Sequence, residues 1–212
     1  MVTSERTEEE PLSTPSPEYS RLDSNMVALH RATLSLFSDL SLDGVLRRVI
    51  QAAQELADAR YAALGIPDGD GGLETFLTTG ITEAEIEAIE RHPQGDGLLG
   101  EMLRTGTSIR LERIQDHPRS VGFPAGHPQM RSFLGVPIAA YGRPIGQIYL
   151  TDKESAPEFS AQDQRLIEML ASQAAAAIEN AQLYQKVLES ENELGGRNEE
   201  LGLMFSLATA VG

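Results

Sequence analysis

An imidazole at His127 and a phenol at Tyr149 are the two side chains of this sequence best placed to meet a ligand. His127 stands in Gly126-His127-Pro128-Gln129-Met130, on a long connection, with Phe123, Phe133 and Leu134 close by in sequence. A neutral imidazole offers one nitrogen lone pair to a metal while its other nitrogen donates a hydrogen bond. Tyr149 lies in Ile145–Thr151, an apolar run that reads as a strand. Side chains alternate along a strand, so Ile148 and Leu150 share one face while Gln147, Tyr149 and Thr151 take the other. The aliphatic pair should pack on helices, which leaves the Tyr149 phenol as a donor for a ligand atom of partial negative charge. Ala63 and Gly65, on an earlier strand, point to the same side and leave room for a flat ligand or for gas entry.

Other chemistries fit the residues less well. His92, His117 and His127 each precede a proline, a pattern of turns, and they lack the tight spacing or clustered carboxylates of a metal centre. Gly95-Asp96-Gly97-Leu98-Leu99-Gly100 leads into a helix and is suited to a phosphate, but it has no P-loop lysine. The carboxylates belong to exposed helix faces and form no nucleophile–base arrangement, so no catalysis is expected of these 212 residues. With no cysteine, disulfides, thiol catalysis and thiolate metal sites are excluded.

The elements that must position these groups are legible from punctuation and period. Residues 1–20, rich in Glu, Ser, Thr and Pro, read as a disordered leader. Leu22, Met26, Leu29, Thr33, Leu36 and Leu40 step by four and three, the seam of a linker helix over 21–40. Ser41 or Asp43 caps a second helix to about Ala57, with Val45, Leu46, Val49, Ile50, Ala53 and Leu56 inward. Tyr61–Ile66 and Leu73–Thr79 are strands around a Pro-Asp-Gly-rich turn. Short helices follow at 82–91 and before Gly106, then a brief strand at 108–111 and a connection over 112–131. Ser132–Ala139 and Ile145–Thr151 form a hairpin around Tyr141-Gly142. Ser160 with Asp163 opens a long helix whose seam runs through Ile167, Leu170, Ala174, Ala177, Ala181, Tyr184 and Leu188. Gly195-Gly196 should end it; Leu201, Met204, Phe205 and Leu207 then begin another amphipathic stretch that stops at Gly212, the expected start of a truncated segment. The order predicts an α+β fold: a mixed or antiparallel sheet with helices on one face and a pocket under the connections on the other.

Composition narrows the partners. The charge of −15, from 17 basic and 32 acidic residues, repels phosphate backbones and anionic lipid, arguing against nucleic acid and membrane surfaces. No apolar run is long enough to span a bilayer and the N-terminus has no signal-peptide pattern, so a cytoplasmic location is expected. The two seams predict a parallel homodimer through the terminal helices.

Residues 41–184, about two thirds of the chain, resemble a GAF domain of bacterial sensor histidine kinases. The resemblance rests on SLDGVLRRVIQAAQELADARYAALGI, GLLGEMLRTGTSIRLERIQDHP, HPQMRSFLGVPI, GQIYLTDK and FSAQDQRLIEMLASQAAAAIENAQLY. Within that family the chain is similar to the haem-binding domains of dormancy-type oxygen and redox sensor kinases. The resemblance implies haem b, with the proximal histidine of the HPxM segment at His127 and the distal tyrosine of the (I/L)YLTDK strand at Tyr149. The slot would be built by Phe123, Met130, Phe133, Leu134 and Gly65, and the signal would be a diatomic gas (O2, NO or CO) or redox state. No kinase dimerisation or ATP-binding motif occurs in these 212 residues, so any kinase output would belong to sequence outside them, with 185–212 as a signalling linker. A haem-free module that serves as a dimerising relay, or that binds another small molecule, is the alternative; no cyclic-nucleotide signature is found.

Overall fold

The computed structural model describes residues 17–68, 72–89 and 97–210. The greater part of the expected leader (residues 1–16), the tip of the first hairpin, His92 and Gly95-Asp96 lie outside the described residues.

Helix α1 covers Pro17–Leu36 and α2 covers Leu42–Ala57. Pro17 occupies the first helical position, where its missing N–H costs nothing, so the helix starts inside the segment expected to be a leader. Ser41 caps α2 by accepting from the Gly44 N–H, and Asp58 closes it in the left-handed conformation. Strand β1 spans Ala59–Pro67 and β2 Leu73–Thr79; at their turn the Asp68 carboxylate accepts from the Gly72 N–H at 2.9 Å. Helix α3, Glu83–Ala88, opens on a capping box between Thr82 and Glu85. Helix α4 covers Leu98–Thr105, and the left-handed Gly106 ends it. Strand β3, Ile109–Leu111, precedes a 3-10 turn at Ile114–Asp116 and the expected long connection. Strands β4, Phe133–Ala140, and β5, Arg143–Lys153, close the hairpin. Its two central residues, Tyr141 and Gly142, both have positive φ (49° and 77°), the geometry that matches strand twist in a two-residue turn.

The five strands form one antiparallel sheet in the order β2-β1-β5-β4-β3. One face packs on α2 and on α5, which covers Ala161–Ala210. The core between them takes Val45, Val49 and Ala53 from α2 and Ile167, Leu170, Ala174 and Ile178 from α5. The sheet contributes Leu64, Val136, Ile148 and Leu150. Leu56, expected inward, is only partly buried, and Ala57 is buried instead. The opposite face carries a second apolar cluster with Leu98, Met102, Ile114, Phe133 and Tyr149. This is the predicted arrangement of helices on one side and connections on the other.

Two expectations about the terminal helices need correction. Ser160 and Asp163 cap α5 as expected, but Gly195-Gly196 do not end it; the helix continues to Ala210. A glycine costs about 1 kcal/mol against alanine in a helix interior, which weakens the segment without forbidding it. The seams are also not purely intermolecular. Leu29 and Leu36 are buried in the domain core, and so are Ile167, Leu170, Ala174, Ala177 and Ala181 of the second seam. Met26 and Leu40 are exposed, as are Leu183, Tyr184, Val187 and Leu188. Helix α1 is therefore part of the fold. Leu36→Ala should cost about 2–5 kcal/mol in urea denaturation, as buried leucines do. Leu40→Ala, though in the same seam, should stay within about 0.5 kcal/mol of wild type.

Candidate functional site

Strand β5 lies between β1 and β4, and both of its faces are covered along its central residues. Register sets what surrounds each of its side chains. Tyr149 lies between Ala63 of β1 and Gly135 of β4, two positions without bulk. Gln147 lies between Gly65 and Pro137, and Thr151 between Tyr61 and Phe133. The phenol ring is thus free to lie over small neighbours, with Phe76 and Phe133 at ring-centroid distances of 6.3 and 6.4 Å.

Above this face, α3, α4 and the 112–131 connection border a partly open cavity of about 770 Å³. That volume is in the range of ligand pockets, and its lining is mainly apolar. Tyr149, Phe133, Ala63 and Thr151 line it from the sheet; His127, Phe123 and Met130 line it from the connection. Thr151 Oγ1 donates to Met130 Sδ at 3.1 Å, which ties the connection to the sheet.

His127 is held from several directions. Its backbone N–H donates to the Pro124 carbonyl at 3.2 Å, closing a turn over Pro124–His127. Gly126 within that turn has φ 78°, and a Cβ there would collide with the carbonyl of Ala88 in α3. Only glycine allows so close an approach of connection and helix. The Phe123 ring stacks on the imidazole at 4.8 Å between centroids, 20° from parallel. The Nδ1 atom sits 2.7 Å from the Pro128 carbonyl, which can only accept, so Nδ1 carries the proton. In the neutral imidazole this leaves the lone pair on Nε2. That donor set fits an axial metal ligand.

Tyr149 is buried, and burial pushes its phenol well above the usual tyrosine range. It stays a protonated donor. Its hydroxyl donates to Gln147 Oε1 at 2.7 Å.

Of the expected site residues, the structure brings together His127, Tyr149, Phe123, Met130 and Phe133 around one cavity. Leu134 does not belong there. Adjacent strand residues face opposite ways, so with Phe133 toward the cavity Leu134 is driven into the helix-side core, fully buried. Gly65 is on the cavity face but does not line the cavity. A Cβ on it would meet Leu73 Cδ2 at 3.1 Å and Tyr149 Cε2 at an ordinary contact distance of 3.5 Å, so the glycine eases the packing of Leu73 rather than opening space for a ligand. Phe76, Ile86, Ile89, Leu98, Leu99 and Ile114 also line the cavity, and sequence reasoning does not single them out. Their sequence signal is only that of short amphipathic elements. His117 is engaged through Nδ1 with the Arg119 N–H at 3.2 Å. No group of three or more His, Asp or Glu suited to a metal ion occurs among the described residues.

Known proteins share this fold. The GAF domain profile matches residues 39–179. A GAF domain of a phosphoenolpyruvate-protein phosphotransferase from Coxiella burnetii superposes with a TM-score of 0.66 at 24% identity, covering 76% of this chain and 96% of that one. A GAF domain from Pseudomonas syringae pv. tomato, assigned to a sensor histidine kinase, gives 0.58 at 16% identity, covering 82% and 97%. Among curated proteins, the probable 3',5'-cyclic phosphodiesterase pde-5 of Caenorhabditis elegans is 27% identical over 176 residues, covering 75% of this chain. The chain spans 23% of that relative's own length.

The tight seat of His127 is testable through its neighbour. Gly126→Ala should destabilise the protein by at least about 1–2 kcal/mol, the cost of a left-handed alanine, before the collision with Ala88 is counted. Thermal melts of variant and wild type measure it.

Proposed function

The chain belongs to the GAF domain family, and on that basis we propose that it is the input module of a signalling protein that holds haem b through His127. The observation that carries this reading is the place of His127 in the wall of an apolar cavity with its Nδ1 2.7 Å from the Pro128 carbonyl, a contact that leaves the lone pair of the neutral imidazole on Nε2. When bound, the haem would supply an iron able to take a diatomic gas or to change redox state. Phe123, Met130 and Phe133 would exclude water around it and Phe123 would hold the imidazole plane by stacking. Tyr149 would present a neutral donor from the sheet, favouring ligands that carry partial negative charge. The kinase output expected from the sequence is part of this proposal, and the histidine kinase assignment of one structural neighbour supports it.

We further infer that two copies associate through the exposed side of α1 and the part of α5 that runs past the domain core. Val27, Leu34 and Phe37, on α1 and just past its end, are exposed, and so are Leu183, Tyr184, Val187 and Leu188 of α5. Such a stripe is suited to helix–helix pairing and to relaying a change at the cavity along α5. Among the described residues no helix is long and apolar enough to cross a membrane.

The haem assignment is tested by His127→Ala. Wild-type protein reconstituted with hemin should show a strong Soret band, and the variant should lose it while keeping its far-UV spectrum; an unchanged band would remove His127 from the role. Association is tested with residues 17–182, which keep α1 and the domain core and drop the exposed end of α5. Light scattering should report a dimer for the full chain and a monomer for the shortened one.

A further inference from the structure

Gln147 is fully buried two residues before Tyr149 on the same face of β5. Its Oε1 accepts the Tyr149 hydroxyl at 2.7 Å, while its Nε2, also buried, has no hydrogen-bond partner among the described residues. A buried carboxamide with unmade donors carries the full desolvation cost of that group, and an apolar side chain of the same length would avoid it. Stability alone therefore does not account for a glutamine here.

As found, the phenol proton is committed to Gln147 Oε1. A ligand in the cavity that accepts the phenol O–H must take it from the carboxamide, so one hydrogen bond is lost as the other forms. With no acceptor at position 147 the same ligand gains its hydrogen bond without that loss. A ligand that accepts poorly leaves the O–H on Gln147.

We propose that Gln147 is a specificity-determining residue that competes with the cavity ligand for the Tyr149 O–H, so that only strongly accepting ligands, such as O2, capture the donor. This rests on the haem reading above and adds to it a second residue behind the phenol. Gln147 is a positioning residue, since it acts through Tyr149.

Gln147→Met keeps the length and removes both the competing acceptor and the orphaned donors. In haem-loaded protein it should slow O2 dissociation about fivefold, the factor that one neutral hydrogen bond of about 1 kcal/mol represents. CO dissociation should stay within a factor of two or so of wild type, because CO accepts weakly. In a Tyr149→Phe background the same substitution should leave both rates unchanged. The haem-free Gln147→Met protein should melt at or above the wild-type temperature. O2 release that is unchanged or faster, an equal effect on CO, an effect that persists in the Tyr149→Phe background, or a fall of several degrees in melting temperature would each overturn the proposal. Wild-type protein that takes up no hemin would instead overturn the haem reading beneath it, whereas a Soret band with equal O2 rates overturns this inference alone.

Discussion

A sheet covered on both faces has to sort its side chains by strict alternation, and β5 is the strand on which that constraint falls hardest. Flanked on both edges, it sends Ile148 and Leu150 into the helix-side core and Gln147, Tyr149 and Thr151 toward the cavity. One slip of register would exchange these sets and bury a phenol and a carboxamide against α2 and α5. The cost of that exchange holds the strand in place. The same alternation in β1 and β4 sets Ala63 and Gly135 beside Tyr149, so the space above the sheet and the donor within it have one origin. The helix-side core supplies the stability, and the opposite face is left open to a ligand.

Local signals make most of the fold legible. Ser41, the Thr82–Glu85 box, Gly106 and Ser160 mark helix ends by mechanisms that need only a few neighbouring residues. Tyr141-Gly142 marks the hairpin for the same reason. The site is legible where it lies on one strand or one loop, as with Tyr149 and His127. Nearness in sequence places Leu134 wrongly beside the ligand, although alternation already separates it from Phe133. Gly65 faces the right way, yet what a side chain there would meet, Leu73 of the neighbouring strand, is a tertiary fact. The Tyr149–Gln147 bond and the lining from α3 and α4 are likewise tertiary facts with no local code.

The terminal helices show a different limit. A step of three and four is shared by a helix that packs on its own domain and by one that pairs with a second copy. Leu29 and Leu36 turn inward while Met26 and Leu40, in the same seam, do not. Period identifies the apolar stripe; it does not identify what covers it. Gly195-Gly196 do not interrupt α5, which runs as one helix from the sheet to Ala210.

The cavity wall carries an imidazole anchored through Nδ1, and its floor carries a protonated phenol; these two groups are the centre of the functional reading. The most direct measurement is an absorbance titration of haem-free wild-type protein with hemin. A Soret band that grows to a sharp end point at one haem per chain is the predicted result. A titration that tracks free hemin, with no protein-dependent band and no end point, would contradict it.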